Sequence, residues 1–140
     1  MAIFKRSQVV NAPIDDAFTV ITDGEHWASW NPTIRASRRL DDGPIREGTR
    51  FEWELRGVGK VIQELQEFDP PRQVLIVSYT KQTSGGHRFR LTAEGKSTRI
   101  DHELEVRPKG AFVLLAPMMW MIGRKDLRET ADALQRRLEE

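Results

Sequence analysis

The sequence predicts one α+β domain in which a curved antiparallel sheet of about seven strands wraps around a long C-terminal helix. Short segments between residues 34 and 106 alternate apolar and polar side chains, which is the period of half-buried strands. Glycine and proline pairs separate these segments, as hairpin turns require. The last quarter of the chain has apolar residues at helical spacing, at Leu127, Ala131, Leu134 and Leu138. A chain of 140 residues is one ordinary domain, so we assign 1–140 to a single unit.

The first elements are predicted from their boundary residues. Residues 3–10 alternate as a strand, and Asn11 is then a suitable N-cap for a short helix that has Pro13 in its first turn. The apolar stripe of this helix consists of Ala17, Phe18 and Ile21. A second short helix carries Trp27 and Trp30 on one side.

Six further strands are expected between the short helices and the long helix. Their predicted bounds are 34–40, 50–56, 60–68, 74–80, 87–93 and 98–106. The turns between the later strands are assigned to Gly57-Val58-Gly59, Asp69-Pro70-Pro71, Gly85-Gly86 and Gly95-Lys96.

A two-residue turn at Gly95-Lys96 would place Arg90 opposite Asp101 and Arg88 opposite Glu103. These favourable charge pairs then mark the outer face of the last hairpin. The inner face would carry His87, Phe89, Leu91, Ile100, His102 and Leu104.

The earlier hairpin leaves two registers open. If Leu55 lies opposite Lys60, Glu64 points inward. The inward set is then Phe51, Trp53, Leu55, Ile62, Glu64, Gln66 and Phe68. A three-residue turn instead turns Val61, Leu65 and Glu67 inward and Glu64 outward. The strand 74–80 has Tyr79 on one face and Val74, Ile76 and Ser78 on the other. The sequence does not decide which of these two faces points inward.

Several short motifs occur in a consistent order along the chain. They are Asn11-Ala12-Pro13, Trp30-Asn31-Pro32, residues 43–49, Asp69-Pro70-Pro71-Arg72 and residues 98–103. In this order they resemble the START-like, SRPBCC helix-grip superfamily, which includes the birch-pollen-allergen fold and the polyketide cyclase/dehydrase group. The resemblance implies a helix-grip fold around a hollow that holds a small hydrophobic or aromatic molecule, such as a lipid, a quinone or a polyketide. Only some members of that superfamily catalyse a reaction, so the resemblance leaves open whether this chain is an enzyme.

Composition narrows the function classes. The net charge of +1, with mixed signs, gives no basic face for nucleic acid, and the absence of cysteine removes disulfides and thiolate chemistry. No cofactor-binding motif occurs, and three scattered histidines do not predict a metal site, so we expect neither cofactor nor metal. The most apolar run, 111–123, is shorter than the roughly 20 residues of a membrane span, and the N-terminus has no signal pattern. We therefore expect a cytoplasmic protein without an integral membrane segment.

The candidate ligand-binding residues are the aromatic and polar groups predicted to face the hollow. They are Trp30, Phe51, Trp53, Glu64, Phe89, His102 and Met119. The alternative for the aromatics is plain core packing, and for His102 it is a hydrogen bond to a backbone carbonyl or water. His87 and His26 are expected to be exposed.

Three functions remain open. The first is binding of a small apolar ligand between the sheet and the final helix. The second is a polyketide cyclase or dehydratase that uses His102 with Glu64 or Tyr79 as proton carriers. The third is an interaction protein that makes a homodimer or membrane-surface contact through the apolar residues 112–122.

Overall fold

The computed structural model of the protein describes residues 2–79, 83–108, 114 and 116–140. Its strands are β1 Ala2–Val10, β2 Ile34–Arg39, β3 Arg50–Leu55, β4 Gly59–Asp69, β5 Gln73–Tyr79, β6 Thr83–Glu94 and β7 Ser97–Pro108. The helices are α1 Ile14–Thr22, a 3-10 helix at Gly24–Ser29, and α2 Ala116–Glu139.

The strands form one antiparallel sheet in the order β1-β7-β6-β5-β4-β3-β2. Every pair of neighbouring strands except β1 and β7 is consecutive in sequence, and β1 lies at one edge of the sheet beside β7. α2 crosses the concave face, where it packs against β1 and β7. The predicted α+β helix-grip architecture is therefore confirmed, including the two short helices after the first strand.

The last hairpin has the predicted register. Gly95-Lys96 forms a two-residue turn, Arg90 lies opposite Asp101, and Arg88 lies opposite Glu103. The inward side chains of this hairpin are buried, since Phe89 and Ile100 are fully shielded from solvent. The charge pairs thus identified the outer face correctly.

The hairpin of β3 and β4 has the second of the two registers. Leu55 pairs with Gly59 and Trp53 with Val61, so the turn has three residues and the first register is wrong. Val61 and Leu65 point inward and are buried. Glu64 lies on the convex face, where its Oε1 is 2.8 Å from Nε of Arg50.

The predicted cap of α1 and the predicted direction of Glu67 are both wrong. α1 begins at Ile14 with Pro13 at its N-cap, so Asn11 does not cap it, and its backbone N–H instead donates to Glu139 Oε2 at 2.9 Å. Glu67 does not point inward, because a bulge with a positive φ of 48° turns it outward, where it pairs with Arg88.

Gly85-Gly86 is not a turn but lies inside β6, which begins earlier than predicted. A Cβ on Gly85 would lie 2.0 Å from the backbone oxygen of Glu105, and one on Gly86 would lie 2.2 Å from that of Ile76. Glycine is therefore required where the neighbouring backbones approach closely.

The core lies between the middle of the sheet and the two short helices. Its largest fully buried side chains are Trp27, Trp53, Phe51 and Phe89. Phe51 packs directly on Gly24, where a Cβ would lie 2.6 Å from its ring. This packing fixes the 3-10 helix on the sheet, and Leu134 of α2 belongs to the same buried cluster.

Candidate functional site

A pocket of about 370 Å³ lies between the concave face of the sheet and the first turns of α2. Most of its walls are apolar, from Trp27, Ile34, Trp53, Leu55, Val58, Val61, Leu104, Val106, Met118 and Ile122. Val58, Met118 and Ile122 are also more than half exposed, so they form the mouth of the pocket. An apolar cavity with few polar groups is typical of a small-molecule site.

Two stacked indoles form part of the wall. The rings of Trp27 and Trp53 are 4.5 Å apart between centroids. Each indole N–H is satisfied inside the protein, since Trp27 donates to the carbonyl of Ile21 at 2.9 Å and Trp53 to that of Gly24 at 2.8 Å. The indoles therefore offer the pocket apolar ring surface and no free donor.

A chain of polar side chains crosses from the end of the 3-10 helix to α2. Asn31 is buried, and its Nδ2 donates to Thr130 Oγ1 at 3.1 Å. That hydroxyl in turn donates to Asp126 Oδ1 at 3.1 Å, while Asn31 Oδ1 accepts from the N–H of Thr33 at 3.0 Å. Asn31, Thr33 and Asp126 all line the pocket, so this chain fixes the orientation of its polar wall.

A buried histidine pair forms a second polar feature. His87 Nδ1 lies 2.8 Å from His102 Nε2, and both side chains are more than nine-tenths buried. Burial lowers the pKa of His87, which the Asp126 carboxylate partly offsets. Burial also holds the pKa of His102 well below its usual value, with a smaller contribution from the charges of His87 and Arg6. Both rings are neutral at pH 7.

The tautomers of the two histidines follow from the unpaired Nδ1 of His102. His102 Nδ1 is buried and has no hydrogen-bond partner among the described residues. An unpaired buried acceptor is less unfavourable than an unpaired N–H, so the proton of His102 sits on Nε2 and is donated to His87 Nδ1. The remaining N–H of His87 is then on Nε2, on the other edge of a ring that lines the pocket.

A third polar feature is the pair Gln63 and Ser78 on adjacent strands. Ser78 Oγ donates to Gln63 Oε1 at 2.5 Å, and both residues line the pocket. Gln63 is almost fully buried, which is costly for an amide that lacks hydrogen bonds. The hydrogen bond from Ser78 offsets part of this cost and fixes the orientation of the Gln63 amide.

Of the predicted site residues, Trp53 lines the pocket. Phe51, Phe89 and His102 are buried but do not line the pocket, and the ring of Phe89 stacks on that of His102 at 4.1 Å. Trp30 is half-buried against Trp27 and is likewise absent from the pocket wall. The side chain of Met119 lies outside the described part of α2.

Glu64 and Tyr79 both lie on the convex face, so the prediction that either acts with His102 as a proton carrier is wrong. Glu64 has its pKa lowered by hydrogen bonds from Gln66 and Arg50. Tyr79 is half exposed, and its hydroxyl lies 3.4 Å from Nε2 of Gln66. The opposite-parity residue Ser78 faces the pocket instead.

His87, Asp126 and Asn31 line the pocket but were not among the predicted site residues. His87 is buried rather than exposed, although its inward parity was predicted. Asn31 was noted only as part of a helix stop, and no pattern in α2 distinguishes Asp126 from the other acids there.

Part of the apolar surface predicted at 112–122 is described. Its exposed members are Leu114, Met118, Trp120, Met121 and Ile122. Residues 112, 113 and 115 lie outside the described residues. Within the described chain, no helix has the length and apolar character needed to cross a bilayer. The cytoplasmic location stays a prediction.

One group of side chains has the spacing of metal ligands. Asp23, Glu25 and His26 bring one ligand atom each within 4.8 Å of the others. The group is on the surface, where His26 Nδ1 lies 2.8 Å from Asp23 Oδ2, and none of its members lines the pocket. Exposed acidic groups with this spacing are common in proteins without a metal ion. Because this group does not line the pocket, we do not assign it a role there.

The fold and pocket are those of a helix-grip protein with a cavity under its last helix. The chain belongs to the polyketide cyclase / dehydrase and lipid transport family, whose model matches residues 1–139. No curated protein matches the chain by sequence.

Solved structures agree with the fold. A START superfamily protein from Mycobacterium smegmatis is 21% identical, with a TM-score of 0.79 over 98% of this chain and 97% of that one. A protein from Thermus thermophilus is 16% identical, with a TM-score of 0.80 and the same coverage. The Zhui aromatase/cyclase from Streptomyces sp. R1128 is 14% identical, with a TM-score of 0.78 over 99% and 93%. The family and fold are consistent with hydrophobic-ligand binding or a cyclase-like role.

Proposed function

We propose that the protein binds a small hydrophobic or aromatic molecule in the pocket between the sheet and α2. The observation that carries the proposal is the cavity of about 370 Å³ with mostly apolar walls. This volume is near the lower end of the roughly 300–1,000 Å³ typical of ligand pockets, which favours a compact molecule. A ligand that buried about 200 Å² of apolar surface would gain about 5 kcal/mol before the entropic cost of association.

The polar groups in the wall favour a ligand with one hydroxyl or carbonyl group. The Nε2–H of His87 is a donor and the carboxylate of Asp126 is an acceptor, and both residues line the pocket. A hydroxyl can use both, whereas a hydrocarbon would leave both without a ligand partner. The pocket therefore orients its ligand by one polar end.

Calorimetric titration with naphthalene, 2-naphthol and 2-methoxynaphthalene tests the proposal. We expect saturable binding of all three, with 2-naphthol the tightest. Ile122→Asp, at the pocket mouth, should weaken binding about fivefold or more by adding a charge beside the ligand. Met121→Asp is the matched control, because Met121 is the preceding exposed residue and does not line the pocket. Absence of saturable binding by any of the three compounds would contradict the proposal.

A second candidate function is cyclase or dehydratase chemistry, of the kind named for the Streptomyces structure. The observation that favours it is a neutral imidazole and a carboxylate in one apolar pocket, His87 and Asp126. In a dehydration, the base removes a proton from the carbon beside a carbonyl, and an acid protonates the departing hydroxyl, which leaves as water. No redox partner or cofactor is needed.

The enzyme candidate is tested with a β-hydroxy ketone that fits the pocket, by following water loss as absorbance of the conjugated product. His87→Gln should lower kcat at least about a hundredfold, the usual contribution of a positioned acid or base, and change KM little. His26→Gln is the control, because His26 is exposed and does not line the pocket. Equal turnover in both variants would remove His87 from any catalytic role.

A third candidate is contact with a partner through the exposed apolar residues at the start of α2. Trp120 and Met121 are 52% and 74% exposed, which is unusual for side chains of this size. Trp120→Asp should change the assembly state in light scattering, or the retention on lipid vesicles, while 2-naphthol binding in the pocket stays the same. An unchanged state in both measurements would leave this surface without a partner role.

A further inference from the structure

A second cavity, of about 350 Å³, lies at the edge of the sheet between β1 and α2. It is lined by Ile3, Phe4, Lys5, Arg6, Arg124, Leu127 and Arg128. None of these residues lines the pocket described above, so this β1–α2 groove is a separate feature.

The groove has an apolar floor because α2 approaches β1 closely. A Cβ on Gly123 would lie 2.5 Å from the ring of Phe4, so only glycine lets the helix rest on that ring. Leu127 lies one helical turn after Gly123 and is buried. Ile3 remains 46% exposed at the rim.

Four cationic side chains surround this apolar floor, and their charge is only partly neutralised. Arg6 forms an ion pair with Asp132 at 2.7 Å, and Lys5 lies 3.8 Å from Glu103. Within the described part of the chain, no ion pair involves Arg124 or Arg128. These two arginines are one helical turn apart, so their guanidinium groups can reach one anion together.

The preference for an anion comes from the side chains. Arginine side chains bind phosphate through two parallel N–H donors. The free edge of β1 presents both N–H and C=O groups, so it does not itself distinguish an anion from a cation.

We propose that the β1–α2 groove binds the phosphate group of an amphiphilic phosphate monoester. Arg124 and Arg128 bind the phosphate, and the apolar chain of the ligand covers Ile3 and Phe4. Trp120, which is 52% exposed, precedes Arg124 by one turn and extends this apolar surface along α2. The phosphate can belong to a free molecule or to a lipid headgroup, since both present the same chemistry to the arginines.

An alternative explanation for the basic residues is protection of the sheet edge, because lysine and arginine on an edge strand discourage aggregation. That role requires charge but no particular position on α2. Arg136 and Arg137, in the last turn of the same helix, are exposed and lie outside the groove. They provide a control with the same loss of charge.

The test is calorimetric titration at low salt with hexyl phosphate, hexanol and inorganic phosphate. Cosedimentation with phosphatidylcholine vesicles, with or without phosphatidic acid, presents the same phosphate monoester as a lipid headgroup. The variants are Arg124→Gln/Arg128→Gln and the control Arg136→Gln/Arg137→Gln, each first shown to be folded by circular dichroism. We expect the groove variant to lose about tenfold or more in affinity for hexyl phosphate, the size expected for losing charge-assisted hydrogen bonds. The control should change less than about twofold. Any binding of hexanol, which belongs to the pocket between the sheet and α2, should be the same in the unmodified protein and in both variants.

Vesicle binding alone, lost in the groove variant and kept in the control, would assign the phosphate to a lipid headgroup and support the site. Equal losses in the two variants would overturn the proposal, because they would indicate only non-specific charge attraction. No saturable binding of any phosphate probe by the unmodified protein would overturn it as well. Binding of 2-naphthol in the pocket should be unchanged in both variants, so the two proposals can fail separately.

Discussion

Replacing a leucine by alanine should lower the free energy of unfolding less beside the pocket than in the packed core. Leu91 on β6 and Leu104 on β7 are matched, since they are 4% and 5% exposed, lie on neighbouring strands and point to the same face. They differ in surroundings: Leu91 belongs to the main cluster of buried hydrophobic residues, whereas Leu104 lines the pocket.

The expected magnitudes follow from the cavity that each substitution creates. Buried Leu→Ala changes cost about 2.7–5 kcal/mol, and the cost rises by about 24 cal/mol for each Å³ of new cavity. Leu91→Ala leaves a new closed cavity, so we expect about 4 kcal/mol. Leu104→Ala only enlarges an existing hollow, so we expect about 3 kcal/mol or less. The change in strand propensity from leucine to alanine is similar at the two positions, so it largely cancels in the comparison.

Urea unfolding followed by circular dichroism measures this difference, provided that the dependence on urea concentration is the same for both variants. We expect Leu104→Ala to be the more stable variant by about 1 kcal/mol or more. An equal cost, or a larger one for Leu104→Ala, would show that side chains fill the space under α2.

Two further predictions concern the histidine pair and the strand glycines. Because burial lowers the pKa of His102, the unfolded chain takes up a proton near pH 6.5 that the folded chain does not, so stability falls as pH drops from 7 to 5, by up to about 2 kcal/mol for this group. Urea unfolding at both pH values should show a smaller fall in His102→Phe than in the unmodified protein; equal falls in the two proteins would contradict a buried neutral His102. Gly86→Ala should destabilise by at least about 2 kcal/mol, because the new Cβ meets the β5 backbone, whereas Gly95→Asn should cost less than about 1 kcal/mol in a turn with open space. A thermal melt in which Gly86→Ala is as stable as Gly95→Asn would count against the strand assignment.

The fold was predictable because its signals are local. Side-chain alternation, turn residues and cross-strand charge pairs identified the strands and the register of the last hairpin. The β3–β4 register was not predictable, since Gly57-Val58-Gly59 accommodates turns of either length. Gly85-Gly86 was mistaken for a turn because a glycine pair has the same composition whether it turns the chain or admits a close backbone neighbour.

The candidate site was only partly predictable. Parity along β6 and β7 placed His87 and His102 on the inner face, but it could not show which of them the cavity would reach. Asp126 joins the pocket only because α2 docks across the sheet, and no local pattern encodes that docking. Glu64 was misplaced by the open register, which a single extra turn residue reverses.

Methyl NMR of the protein titrated with naphthalene tests most directly whether an apolar guest occupies the space between the sheet and α2. We expect saturable shifts of the methyl groups of Val61, Leu104 and Ile122, with those of Leu91 and Leu134 nearly unmoved. Shifts confined to other methyl groups, or no saturable shift at all, would contradict it.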